Sequence, residues 1–177
     1  WLHSGEFARA AEHLKIATEL APHSWENHFD LAQAHARLDQ WSQADDAFAA
    51  AAKLQPQREE IRLAWGEMLL RQGEVDRALA QLRVAEELAP ASITIQLALI
   101  EALTAGREHD VALRRAEQLV AKQPESYEAQ LCLGQLHAQS GRWEKAAACF
   151  ETAVSMQPDA AEAHYQLGLA RVQLGEY

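Results

Sequence analysis

Residues 127–160 read YEAQLCLGQLHAQSGRWEKAAACFETAVSMQPDA, a stretch of 34 residues that contains a single proline. The same length governs the whole chain, because each of its five prolines stands 34 residues from the next. They are Pro22, Pro56, Pro90, Pro124 and Pro158. A fixed period of this length is typical of stacked pairs of helices. The period therefore predicts the architecture before any local motif is considered.

Other residue types recur in phase with the prolines. An alanine stands twelve residues before every proline, and a turn-forming residue stands seventeen residues before four of them. The alanines are Ala10, Ala44, Ala78, Ala112 and Ala146, and the turn formers are Gly5, Asp39, Gly73 and Gly141. Proline ends a helix because it lacks an N–H and restricts the residue before it. Each period therefore predicts two helices, with small residues where their backbones approach each other.

The register divides the chain into repeats when the proline is placed at the thirty-second position. There are four full repeats, at 25–58, 59–92, 93–126 and 127–160. Residues 1–24 form the second half of an earlier repeat, and residues 161–177 form the first helix of a further one. Trp1 to Ser4 are expected to end one helix, with a turn opening at Gly5. The chain is thus expected to be a single array and a fragment of a longer one.

The residues of 127–160 in register resemble the tetratricopeptide repeat pattern. They are Leu133, Gly134, His137, Trp143, Ala146, Phe150, Ala153 and Pro158. The resemblance extends over essentially the whole chain. It implies an all-α fold of antiparallel helix-turn-helix repeats, stacked into a right-handed α-solenoid of about ten helices. It also implies that the first helix of each repeat lines a concave face and the second helix a convex face.

The repeat 93–126 departs from the pattern. Ile100 stands where the other repeats have a small residue, and Ala116 stands where they have a bulky one. We interpret the pair as an exchange of large for small that conserves core volume. Arg107 occupies the turn position, and Gly106 is expected to supply the turn one residue earlier.

Charge and composition exclude several classes of partner. The net charge is −10, which argues against nucleic acids, whose binding depends on Lys and Arg neutralising phosphates, and against anionic membrane surfaces. No apolar stretch approaches the length that spans a bilayer. Cys132 and Cys149 are interpreted as reduced cysteines in positions for small residues, although a disulfide between them and the cellular compartment both stay open.

The family resemblance assigns the groove to certain positions of the first helix. The fifth position is apolar in every repeat, with Phe29, Leu63, Leu97, Leu131 and Tyr165. The second and ninth positions place acidic and amide residues beside it. We predict a peptide-binding groove formed by Glu26, Phe29, Gln33, Glu60, Leu63, Glu67, Leu97, Glu101, Glu128, Leu131, Gln135 and Tyr165.

This surface has two interpretations. In the first, a partner protein or peptide buries apolar anchors on the stripe, and its basic or neutral character suits the carboxylates. In the second, the fifth-position side chains only fill the space between neighbouring first helices, or another part of the parent protein covers them. Substitution of the stripe by aspartate distinguishes these interpretations.

No motif for chemistry occurs in the chain. The glycines punctuate repeats and form no phosphate-binding loop. His28, His35, His137 and His164 occupy packing positions and do not have the converging ligands that a metal requires. We therefore expect no catalytic residues, no metal and no cofactor. The predicted function is a non-catalytic protein–protein interaction scaffold; the alternatives are a recognition module of a larger enzyme such as a glycosyl- or sulfotransferase, or a scaffold that self-associates through uncapped ends.

Overall fold

The prolines stand just beyond helix ends in the structure, as their spacing predicts. The structure is a computed structural model that describes residues 2–176, and side chains from residue 5 onward, so Trp1 lies outside the described residues. Within that range there are ten α-helices and no strand. They are α1 (Leu2–Leu20), α2 (Trp25–Arg37), α3 (Trp41–Leu54), α4 (Glu59–Gln72), α5 (Val75–Leu88), α6 (Ile93–Ala105), α7 (His109–Lys122), α8 (Tyr127–Gln139), α9 (Trp143–Met156) and α10 (Ala161–Leu174). The odd-numbered helices each end two residues before a proline.

Serine side chains accept backbone hydrogen bonds at the start of three even-numbered helices, which are the first helices of the repeats. At α6 the hydroxyl of Ser92 accepts from the N–H of Ile95 at 3.5 Å. The hydroxyl of Ser24 accepts a hydrogen bond from the backbone N–H of Asn27 at 3.3 Å, and that of Ser126 from Ala129 at 3.1 Å. Each satisfies a backbone donor that the first turn of a helix leaves without a partner. The hydroxyls of Ser24 and Ser126 donate to Glu26 and Glu128, so the glutamate at the second position is held beside the helix start.

The turn inside each repeat uses one residue with positive φ. Gly73 and Gly141 take φ values of 87° and 69°, and Asp39 takes 56°. In the repeat 93–126 the residue with positive φ is Arg107, at 62°. The prediction that Gly106 supplies this turn is therefore wrong. Arg107 adopts a conformation that a residue with a Cβ reaches only at a cost.

The predicted turn at Gly5 is also wrong. Helix α1 runs without a break from Leu2 to Leu20, and Gly5 lies inside it, where an added Cβ would meet no atom within 4 Å. A glycine in a helix interior is destabilising but tolerated. The spacing of seventeen residues before Pro22 is therefore not enough by itself to predict a turn.

The chain divides into two compact units, residues 1–95 and 96–177, called here the N-terminal and the C-terminal unit. In the N-terminal unit α2 packs on α3 and α4 on α5, while α1 packs on α2. Its core contains Phe48, Ile61 and Leu69, all nearly inaccessible to solvent. In the C-terminal unit α8 packs on α9, with α10 against α9 and α7 against α8. Phe150 lies at the centre of that contact.

Small residues at the eighth position let the two helices of a repeat approach closely. A Cβ on Gly66 would lie 2.6 Å from Cγ of Leu82, and one on Gly134 would lie 2.5 Å from Cε1 of Phe150. The bulky partner stands sixteen residues later in both repeats. In the repeat 93–126 the first of these positions has the large residue Ile100 and the second has the small residue Ala116. Each is only 1% exposed. Both sites are therefore core sites, as the volume exchange requires.

A polar cluster links three helices of the N-terminal unit. Asp45 on α3 accepts a hydrogen bond of 2.7 Å from Nε1 of Trp65 on α4. Nη2 of Arg77 on α5 donates to both carboxylate oxygens of Asp45 at 2.8 Å. This hydrogen bond raises the pKa of Arg77 above its usual range, because it favours the charged form. Asp45 thus satisfies the indole N–H of Trp65, which is 8% exposed.

Candidate functional site

The apolar fifth-position residues keep part of their surface accessible in the structure. Phe29, Leu63, Leu97 and Leu131 are each half-buried on their first helices, and Tyr165 on α10 is 65% exposed. Phe29 also packs within its own unit, with ring centroids 6.1 Å from Trp25 and 6.0 Å from Phe48. The series is therefore partly packing and partly surface, and its exposed part is available for contact.

The predicted polar residues lie at the surface beside this series. Those that are exposed are Glu26, Gln33, Glu60, Glu67, Glu101 and Glu128. Gln135 is half-buried, and its Nε2 donates to Oε1 of Glu162 at 3.2 Å, which joins α8 to α10. Glu60 accepts from Nη1 of Arg58 at 3.5 Å. The sequence therefore placed acidic side chains correctly at the surface, but nothing in it indicated the Gln135–Glu162 contact.

A pocket of about 700 Å³ lies on the first helices of the C-terminal unit. It brings together five residues of the predicted groove, which are Leu97, Glu101, Glu128, Leu131 and Gln135. The predicted list of groove residues did not include the others, which are Ile100, Thr104, Ala105, Tyr127, Cys132, Leu136, Gln139 and Glu162. The repeat register contained a signal for some of them, because Glu162 and Gln139 occupy second and thirteenth positions of their repeats.

The C-terminal pocket combines an apolar wall with negative charge. Leu97 and Leu131 supply aliphatic surface, while Glu101, Glu128 and Glu162 are the only charged side chains among its described lining residues. Burial and the nearby Glu101 carboxylate raise the pKa of the Cys132 thiol to about 11. A thiol with this pKa is protonated at neutral pH and is a poor nucleophile. The surroundings of Cys132 therefore do not activate its thiol as a nucleophile.

The pocket on the first helices of the N-terminal unit is smaller, at about 320 Å³. Of the predicted groove residues it contains Gln33 and Glu67. The remaining lining residues are Ala36, Arg37, Phe48, Ala64, Met68 and Arg71. Glu26, Phe29, Glu60 and Leu63 lie outside this lining. The structure therefore brings together fewer of the predicted residues here than in the C-terminal unit.

Arg71 narrows the N-terminal pocket because several contacts hold its side chain there. Its Nη2 donates to the backbone carbonyl of Ala36 at 3.1 Å and to Oδ1 of Asp39 at 3.3 Å. Its guanidinium carbon lies 5.3 Å from the ring centroid of Trp41, within the range of a cation–π interaction. The sequence places Arg71 at the thirteenth position of a first helix, but the three contacts that fix it are visible only in the structure.

Three tetratricopeptide repeat models match the chain. One matches residues 2–66, a second residues 97–148 and a third residues 134–175. Together they account for most of the chain. The chain belongs to the tetratricopeptide repeat family. No curated protein matches it.

Solved structures of other tetratricopeptide repeat proteins share the fold. YrrB, described as a TPR protein with an unusual peptide-binding site, is 17% identical, with 94% of this chain and 86% of YrrB covered and a TM-score of 0.67. TTC0263 of Thermus thermophilus is 21% identical over 95% of this chain and 92% of its own, with a TM-score of 0.74. MamA of Desulfovibrio magneticus RS-1 is 20% identical over 86% of each chain, with a TM-score of 0.70. At these identities the likeness shows the fold alone, an all-α helical repeat solenoid.

Two histidines of this tetratricopeptide chain bond to the proline turn that precedes their helix. Nε2 of His28 donates to the carbonyl of Pro22 at 3.1 Å, and Nε2 of His164 donates to that of Pro158 at 2.8 Å. Gln130 occupies the same fourth position and donates to Pro124 at 3.5 Å. In these three repeats the fourth-position side chain thus bonds to the preceding proline turn, which sequence reasoning had described only as packing, whereas Arg62 at the same position donates to Gln81 at 2.7 Å. Among residues 2–176 no three His, Cys, Asp or Glu side chains are grouped to hold a metal ion.

The described helices do not include a membrane span. Even α1, which has 19 residues and is the longest of them, does not combine the length and the apolar character that a bilayer crossing requires.

Proposed function

We propose that the chain is a non-catalytic protein–protein interaction scaffold whose first helices bind a peptide or an extended partner segment. The observation that carries this proposal is the C-terminal pocket, where five of the predicted groove residues line one cavity. Its volume falls within the range of about 300–1,000 Å³ that is usual for ligand sites. YrrB, which has a similar fold, is described as having a peptide-binding site, and this supports the same class of function here.

The proposed contact residues are those of the first helices. They are Glu26, Phe29, Gln33, Glu60, Leu63, Glu67, Leu97, Glu101, Glu128, Leu131, Gln135 and Tyr165. Apolar side chains of the partner would bury area against the half-exposed fifth-position residues, at about 25 cal/mol per Å². The helices are already folded, so binding orders only the partner and loses less conformational entropy than binding to a flexible site would.

Peptide selection followed by single substitutions tests the proposal. Peptides from a random library are first selected on the wild-type chain, and their affinities are then measured by fluorescence anisotropy for Leu63→Asp and Leu97→Asp. Each aspartate removes one half-buried leucine from the surface of one unit. We expect the variant in the binding unit to lose about tenfold to a hundredfold in affinity, as the loss of a buried leucine contact predicts.

The matched control is Ile16→Asp, which removes an exposed apolar residue from α1, outside the proposed surface. It should leave the affinity unchanged. If the selected peptides bind equally to both leucine variants while circular dichroism shows full helicity, the first-helix surface is not the binding site. If the library yields no binder, the function as a peptide-binding scaffold is contradicted.

A further inference from the structure

We propose that the C-terminal pocket holds a lysine or arginine side chain of the partner, next to an apolar residue of the same peptide segment. This inference rests on the proposed function and adds the chemistry of the occupant. It also assigns the cation to the C-terminal unit and not to the N-terminal one. The argument depends on which charges line each pocket, on the aliphatic wall and on the space that is available.

The charge in the pocket is all of one sign. Its lining contains Glu101, Glu128 and Glu162 and contains no lysine, arginine or histidine among the described residues. A cation that enters therefore meets attraction from three carboxylates and repulsion from no lining group. The three carboxylates are themselves exposed to solvent, so each attraction is small and the preference for a cation depends on their sum.

Two of the carboxylates are held in place before any ligand arrives. Glu128 accepts a hydrogen bond of 3.1 Å from the hydroxyl of Ser126, and Glu162 accepts one of 3.2 Å from Nε2 of Gln135. Each keeps a second carboxylate oxygen for another donor, since the two bonds occupy one oxygen of each group. A bound ammonium or guanidinium would thus meet acceptors whose positions are already defined, which lowers the entropic cost of the contact.

The aliphatic wall explains why the occupant is a peptide and not a small amine. Leu97, Ile100 and Leu131 lie in the same lining as the glutamates. The long methylene stem of lysine or arginine packs on apolar surface while its charged end reaches a polar group. At about 700 Å³ the pocket exceeds the needs of one side chain, so it also has space for a neighbouring apolar residue.

The N-terminal pocket provides the internal contrast. Its lining contains Arg37 and Arg71, and Glu67 is the only carboxylate among its described lining residues. The guanidinium of Arg71 is itself a cation in this lining, and it already contacts the ring of Trp41 and the carboxylate of Asp39. A basic side chain of a partner would be repelled by these two arginines. The preference for a cation is therefore expected in one unit only.

The test compares three pools of short fluorescent peptides on the full chain. Every peptide has leucine at one fixed position and random residues at the neighbouring positions. A second fixed position is lysine in the first pool, norleucine in the second and glutamate in the third. Norleucine keeps the aliphatic stem of lysine without its charge. We expect the lysine pool to bind about fivefold to tenfold more tightly than the norleucine pool, as two exposed ion pairs predict, with the glutamate pool weakest.

Two double variants locate the preference. Glu101→Gln/Glu128→Gln removes two carboxylates from the pocket and should abolish the advantage of lysine over norleucine. Glu117→Gln/Glu144→Gln removes two exposed carboxylates from α7 and α9, outside the lining, and should preserve it. The net charge is the same in both variants, so a general electrostatic effect would lower the lysine advantage equally in both. Circular dichroism checks that each variant keeps its helices.

The outcomes separate the two proposals. A lysine advantage that disappears only in the pocket variant supports the inference. Equal binding of the lysine and norleucine pools, with dependence on Leu97, overturns it but leaves the scaffold function standing. An equal loss in both double variants overturns the assignment to this pocket. Binding of free spermidine at the pocket, without a preference for the lysine pool, shows a small-amine site and overturns the peptide occupant. No binding by any pool contradicts both proposals.

Discussion

The pockets of the two units differ although the same helical repeat builds them. The C-terminal pocket has about 700 Å³ and three glutamates, whereas the N-terminal pocket has about 320 Å³ and two arginines with one glutamate. The two pockets also differ at the thirteenth position of the first helix. Arg37 and Arg71 stand there in the N-terminal unit, and Ala105 and Gln139 stand there in the C-terminal unit. This position of the repeat therefore accounts for the positive charge in the lining of the N-terminal pocket.

The walls of the two pockets also differ. Phe48 lines the N-terminal pocket, and its counterpart in the repeat 93–126 is Ala116. Ile100 lines the C-terminal pocket, and its counterpart in the N-terminal unit is Ala32, which lies outside that lining. The repeat 93–126 thus exchanges a bulky second-helix residue for a bulky first-helix residue. Stacked repeats can keep the same backbone while such exchanges reshape the surface that a partner meets.

The largest effect that tests this contrast is expected from the Ile100 and Ala116 exchange. Ile100→Ala removes a side chain that is 1% exposed and should lower the free energy of unfolding by about 2–5 kcal/mol. Ala116→Phe should cost about 1–3 kcal/mol by overpacking. The double variant gives this repeat the Ala32/Phe48 arrangement of the N-terminal unit. It should be clearly more stable than the sum of the two changes predicts, as measured by urea unfolding.

The double-mutant cycle also defines the contradicting result. If the two changes add within about 0.5 kcal/mol, the residues do not share a volume and the exchange is not compensatory. A matched reference is Gly134, where a Cβ would lie 2.5 Å from Phe150. Gly134→Ala should therefore be destabilising alone and should be rescued in part by Phe150→Leu.

A smaller effect is expected at the turn residue of the same repeat. Arg107→Gly should stabilise the chain by about 1 kcal/mol, because glycine reaches positive φ without the steric cost of a Cβ. The N-terminal counterpart is Asp39, which tolerates this conformation better and accepts a hydrogen bond from Arg71 at 3.3 Å. Asp39→Gly should therefore gain less or lose stability. Thermal and urea unfolding of both variants measure the difference, and equal gains would contradict this account.

The turns show which part of the fold could be predicted from the sequence. The prolines predicted where helices end, because proline lacks an N–H. The alanines predicted which helices pair, because two backbones approach closely only where side chains are small. The residue with positive φ was predicted one place too early, since Gly106 precedes Arg107. In the structure the N–H of Glu108 bonds to the carbonyl of Leu103 at 2.8 Å, as that of Glu74 bonds to Leu69. This closing bond, and not the glycine, determines which residue takes positive φ.

The candidate site was predictable in part for a related reason. The period placed Leu97, Leu131 and the glutamates beside them on first helices, and the structure brings these residues to one pocket. The period gave no indication of pocket volume, which depends on long side chains from neighbouring repeats. Arg71 narrows one pocket through contacts with Ala36 and Asp39, thirty-five and thirty-two residues away. A sequence pattern within a single repeat cannot indicate contacts between residues of different repeats.

The smallest predicted effect concerns His137, which lies near the C-terminal end of α8 and is 4% exposed. Among the described residues no hydrogen-bond partner is found for its Nδ1. Burial lowers the pKa of His137, the nearby Lys145 and Arg142 lower it further, and Glu117 opposes them. The folded chain therefore holds fewer protons at this site than the unfolded chain. Its contribution to stability is complete above the unfolded pKa of about 6.5 and is lost as the pH falls below it.

The pH dependence of unfolding distinguishes this site from the other titrating groups. His137→Leu places there the residue that its counterparts Leu69 and Leu103 supply in other repeats. Between about pH 7.5 and about pH 5 the wild-type chain should lose more unfolding free energy than this variant. His137→Gln, which is polar but does not titrate, should match the leucine variant in slope even if it is less stable. Equal slopes in all three proteins would show that His137 does not couple folding to protons, since each slope reports the protons taken up on unfolding.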